Sequence, residues 1–245
     1  MSTTIRRLTG LLLVIVPFVF TACFTLLQIQ FEYPDILRQP TADVLTKFQA
    51  GGPQLIAIWY VLTLTAVLFI PLVLLVQRVL ADLEAPALLT TATVFGVVAG
   101  LVQALGFLRW PFLVPHLAEA YLDPAGGEAR RAAAAMVFEA FHRYAGMAIG
   151  EHLGYLSTSI WTFLFAVLML RTTLFNRWIA VIGMALALGI AAGLLEPAGW
   201  EAAGAINAIS YLAWALWLII VGIVLLVRRT EPAALSAATV ESRAA

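Results

Sequence analysis

The chain alternates long apolar runs with short polar breaks. The runs cover residues 8–29, 54–76, 88–108, 145–170, 178–195 and 205–227. Each is near the roughly 20 residues that a helix needs to cross a bilayer. Lipid offers no hydrogen-bonding partner, so each run has to satisfy its backbone within its own segment as a helix. Arg6 and Arg7 before the first run resemble the start of a signal peptide. The run nevertheless continues past Cys23 to Ile29, which predicts an uncleaved first span.

Two longer polar intervals carry helices of their own. In 30–52, Thr41 caps a short predicted helix over 42–49, with Val44, Leu45 and Phe48 on one face and Gly51-Gly52-Pro53 as its stop. Its apolar face predicts a helix lying at the membrane surface. In the second interval a short helix over 114–121 precedes the turn Asp123-Pro124-Ala125-Gly126-Gly127. A helix then starts near Glu128 and runs into the fourth span. One of its faces carries Arg131, Ala135, Glu139, His142 and Arg143, and another carries Met136, Ala140, Phe141 and Tyr144, an amphipathic pattern. The expectation is an all-α polytopic membrane protein. A six-helix transmembrane bundle occupies 1–229, with interfacial helices in two outer loops, and 230–245 form a disordered cytoplasmic tail.

Composition supports this reading. The 245 residues are 62% hydrophobic and 11% charged. Soluble domains average about 45–50% apolar and about 25% charged, so this chain needs lipid as solvent. The formal net charge is zero, which gives no basic surface for nucleic acid. One cysteine, Cys23, excludes an intrachain disulfide. The short connections carry Arg78, Arg171, Arg177 and Arg228, on the side of Arg6 and Arg7. Of the 14 acidic residues, ten lie on the other side. The basic bias places both termini in the cytoplasm and the long loops outside. The excess of arginine over lysine and the alanine content suggest a bacterial protein, and hence its inner membrane.

Three segments also carry a resemblance. They are Phe31-Glu32-Tyr33-Pro34-Asp35-Ile36-Leu37-Arg38-Gln39-Pro40, Arg109-Trp110-Pro111-Phe112-Leu113-Val114-Pro115-His116, and Phe138-Glu139-Ala140-Phe141-His142-Arg143-Tyr144 with Gly150-Glu151-His152-Leu153-Gly154-Tyr155. The chain resembles a bacterial family of six-span membrane proteins grouped as a domain of unknown function. The resemblance implies a fold and a location, and no catalytic role.

Polar residues inside the spans are where chemistry would sit. Ionisable groups in lipid are costly and turn toward a partner or a water-filled cavity. Glu151 and His152 fall about two turns inside the fourth span, and Glu151, Tyr155, Thr158 and Thr162 share a helical face. Arg109 ends the third span and Glu196 the fifth, at the same side. A ligand-binding pocket built from Arg109, Glu151, His152, Tyr155 and Glu196 is therefore expected. It would open outward and take a small or lipid-like molecule. The plainer alternative is an Arg109–carboxylate pair that only sets helix register. Gln103, Asn207, Ser210 and Gln28 are the other polar residues within reach.

His116, Glu139, His142 and His152 are the candidates for a metal or haem. The pairs His116-x-x-Glu119 and Glu139-x-x-His142 have a ligand spacing, and Glu-x-x-His recurs in di-iron bundles. On a straight α-helix, however, His142 and Glu151 are about 900° apart and face opposite sides, and His142 and His152 are about 15 Å apart in height. A metal- or haem-dependent enzyme is thus the rival reading, and no cofactor is expected. Glu139 and Arg143, at i and i+4, predict a surface ion pair. No Gly-x-Ser-x-Gly or phosphate loop is present. Gly146, Gly150 and Gly154 form a smooth stripe suited to close helix packing. That stripe would serve either internal packing or a homodimer seam in a membrane complex.

Overall fold

A computed structural model describes residues 3–228. The predicted tail at 230–245 lies outside the described residues. Every regular element among them is helical: α1 (Thr3–Phe31), α2 (Thr41–Val79), α3 (Pro86–Phe112), α4 (Val114–Leu122), α5 (Gly127–Phe141), α6 (Gly154–Met169), α7 (Arg177–Ala192) and α8 (Ala203–Val227). A π-helical segment, His142–Leu153, joins α5 to α6, and short 3₁₀ turns occupy Asp35–Arg38 and Gly193–Ala198. Six helical stretches are long and apolar enough to cross a membrane. The protein is an all-α, multi-pass membrane bundle.

The spans form a closed ring. In chain order α1, α2, α3, α6, α7 and α8 each pack on the next, and α8 returns to α1. Glycines set the closure: a Cβ on Gly222 would stand 2.6 Å from the Gly10 carbonyl oxygen. On the terminus side the ring interior is filled by Leu13, Phe69, Leu72, Trp161, Phe165, Trp214 and Trp217. Two hydrogen bonds pin this packing: Trp214 Nε1 donates to Thr162 Oγ1 at 2.8 Å, and Trp217 Nε1 donates to the Ile179 carbonyl at 2.8 Å.

A second core lies at the opposite end. Trp59 and Trp110 stack at 4.7 Å between centroids, and Phe31 meets Trp110 edge-on at 5.2 Å. Val44, Leu45 and Phe48 belong to this cluster, as do Ala118 and Phe138. The apolar face of residues 41–51 is thus turned onto the bundle. Gly51-Gly52-Pro53 ends that helix as expected: Gly52 leaves helical geometry (φ 54°, ψ −153°), and a second helix, the second span, continues beyond the kink. Glycine takes this conformation readily, so the chain turns sharply there. On α5 the packed residues are Ala134 and Phe138, whereas Met136 and Tyr144 are exposed.

The fourth span departs most from expectation. Its helix is continuous from Gly127 to Met169, as the helix expected to start near Glu128 requires, but it contains a twelve-residue π-segment. Bonding from i to i+5 widens the turn, so side chains recur at spacings of four and five. His142 and Glu151 consequently do not face opposite sides, as α-helical winding would require. The expected Glu139–Arg143 pair is likewise replaced. Glu139 Oε1 accepts a hydrogen bond from Thr41 Oγ1 at 3.1 Å, and α-helical winding ends two residues before Arg143.

Candidate functional site

The ring interior is not filled at the end away from the termini. A cavity of about 370 Å³ opens there, walled by α1, α3, the π-segment, α8 and the loop after α1. The order of residues along each helix sets its depth. Phe20, Leu62, Gln103, Tyr155 and Tyr211 lie toward the packed half, and Asp35, Arg38, Glu196, Glu201 and Gly204 lie at the mouth. Arg109 and Glu151 stand between these levels.

Close backbone approach brings these two together. Gly106 on α3 and Gly150 on the π-segment touch, and a Cβ on either would come within 2.7–2.9 Å of the other's Cα. One turn outward, Gly146 leaves room for the Arg109 guanidinium; a Cβ there would sit 2.5 Å from Nη2. Gly154 faces Gln103. The glycine stripe of the fourth span is therefore covered by α3 of the same chain.

Arg109 is only 8% exposed. Its Nη1 donates to the Gly106 carbonyl, and its plane lies 5.0 Å from the Trp110 ring centroid. Its Nε is buried without a partner. Among the described residues no carboxylate pairs with Arg109. The register-setting pair that was the plainer expectation is thus absent between Arg109 and either Glu151 or Glu196. Glu196 pairs instead with Arg38, which comes from the loop after α1. Glu151 lines the cavity and has no ion pair among the described residues.

Polar groups in and beneath the cavity differ in whether they have a partner, and Gln103 and Asn207, which line it, do. Below the cavity Thr158 accepts from Gln103 Nε2 at 2.9 Å, and Thr162 accepts from Trp214. Asn207 Nδ2 donates to the Ile190 carbonyl at 2.7 Å. The Arg109 Nε has no such partner. Tyr155 and Tyr211 face each other at 5.8 Å beside them.

Four of the five expected ligand residues, Arg109, Glu151, Tyr155 and Glu196, line this one cavity. His152 does not; it is exposed on the far side of the π-segment. The metal candidates are dispersed. His116 and His152 are exposed, Glu139 is held by Thr41, and His142 Nε2 bonds the Leu37 carbonyl at 3.1 Å. Among the described residues no three His, Cys, Asp or Glu side chains come together in a metal-binding group.

Sequence periodicity missed Tyr33, Arg38 and Tyr211. Tyr33 and Arg38 lie in a loop with no repeating pattern, and only the placement of that loop over the ring reveals them. Burial pushes the Tyr33 phenol well above its usual range, and the charge of Glu151 adds to this against the opposing Arg109 and Arg38. Tyr33 therefore stays a neutral hydroxyl.

A family model described as Domain of unknown function (DUF4386) matches residues 8–222. The chain belongs to this family. No curated protein and no solved structure matches it. In this DUF4386 chain the matched region takes in the middle four spans, most of the first and last, and every cavity residue named above.

Proposed function

We propose that this DUF4386 protein binds a small or lipid-like amphipathic ligand in the cavity at the mouth of the ring. One observation carries the reading: Arg109, deep in an apolar bundle and paired with no carboxylate among the described residues, lines a cavity that Glu151 also lines. A buried charge without a counter-charge costs several kcal/mol, so a ligand that supplies one recovers that energy on binding. The volume falls within the range of about 300–1,000 Å³ typical of ligand pockets. Phe20, Phe24, Leu62 and Phe107 offer an apolar wall. The arginines at the ends of the short connections support a bacterial plasma-membrane location, with the termini in the cytoplasm and the mouth outside.

The test is native mass spectrometry of the purified protein with a single-chain lysophospholipid. Wild type is expected to hold one molecule. Ala208→Trp, which places an indole in the cavity wall, is expected to lose it while still folding. Equal occupancy of the two proteins would refute the reading.

A further inference from the structure

Inside the mouth, below Asp35 and Glu201 at the rim, the cavity holds two opposite charges, Arg109 and Glu151. Arg38 and Glu196 neutralise each other at the mouth. Arg109 and Glu151 face each other's charge without contact: no ion pair within 4.0 Å joins them among the described residues. An anionic ligand would satisfy Arg109 and leave Glu151 uncompensated. A cationic ligand would do the reverse. A ligand carrying both charges answers both groups and brings no net charge into the bundle.

We infer that the ligand is a zwitterion on an apolar body, with its acidic group received by Arg109 and a primary ammonium by Glu151. This rests on the binding reading above. The geometry suits the chemistry. Arg109 lines the cavity, and a guanidinium's planar donors match a carboxylate or phosphate. Glu151 is acceptor-only when ionised and matches an ammonium, which is donor-only. The apolar body rests against Phe20, Phe24, Leu62 and Phe107. This chemistry occurs in the headgroup of a membrane amphiphile and in a free apolar amino acid.

Two matched series of probes decide the matter by calorimetry on wild-type protein in a non-ionic detergent. The first is lysophosphatidylethanolamine, lysophosphatidylglycerol and tetradecylamine. The second is leucine, 4-methylpentanoate and 3-methylbutylamine. The zwitterion of at least one series is expected to bind at least tenfold tighter than both of its singly charged analogues. The series that shows this identifies the source. Glu151→Gln should abolish the preference over the acid, and Arg109→Gln the preference over the amine. The wild-type comparison decides alone if Arg109→Gln does not fold. If probes bind but in neither series does the zwitterion bind tenfold tighter than both of its analogues, the inference is overturned and the binding reading stands. Absence of binding by every probe defeats the binding reading itself.

Discussion

Arg38 and Glu196 are 158 positions apart in sequence and form an ion pair across the cavity mouth. Arg38 comes from the loop after α1, and Glu196 from the 3₁₀ turn after α7. The pair joins two elements that lie on either side of α8 in the ring, above Arg109 and Glu151.

Both partners are well exposed, with side-chain exposures of 55% and 32%. Exposed pairs contribute about 0–1 kcal/mol. Arg38→Ala is expected to change thermal stability in detergent by less than about 1 kcal/mol. It should nevertheless speed dissociation of a bound amphiphile, measured by surface plasmon resonance. A large loss of stability with unchanged dissociation would show that the pair holds the fold and not the mouth.

Gly106 and Gly150 make the closest backbone approach beside the cavity. The atom that an added methyl meets is backbone and cannot rotate away. Gly150→Ala should cost on the order of 1–3 kcal/mol, the usual range for overpacking. Gly146→Ala should cost less, because its neighbour is the end of the Arg109 side chain. Equal melting temperatures for the two variants would contradict this packing.

Gly52 is the hinge between residues 41–51 and the second span. A side chain in that backbone region costs on the order of 1–3 kcal/mol. Gly52→Ala should destabilise the protein although its Cβ would meet nothing within 4 Å. An unchanged melting temperature would show that the kink is absent.

Trp214 and Thr162 hold the packed half of the ring together. Hydrogen bonds between membrane helices average about 0.6 kcal/mol in double-mutant cycles. The cycle of Trp214→Phe and Thr162→Val should give a coupling of that order, read from denaturation in mixed micelles. Strict additivity would mean that the indole donor is satisfied elsewhere.

The spans were legible because lipid imposes a length and an apolar composition on each one. Arg109, Glu151 and Glu196 stood out for the same reason, as charges in or at the ends of apolar runs. The winding between them was not legible. Hydrophobic periodicity assumes α-helical turns, and the π-segment His142–Leu153 breaks that assumption where the site residues lie. His152 was paired with Glu151 by adjacency, yet it points away from the cavity. Arg38 claimed Glu196 because a loop folded over the ring, which no helical period encodes.

The central claim is that the cavity runs from its mouth, proposed to face outward, past Glu151 to the level of Gln103 and Tyr155, and is closed below that. Cysteine labelling in intact cells measures this directly, in a Cys23→Ser background, with a charged, membrane-impermeant thiol reagent added outside. Glu151→Cys is expected to react and to be protected by a bound amphiphile. Thr162→Cys, in the packed half, is expected to stay unlabelled. An unreactive Glu151→Cys, or equal labelling at both positions, would contradict the account.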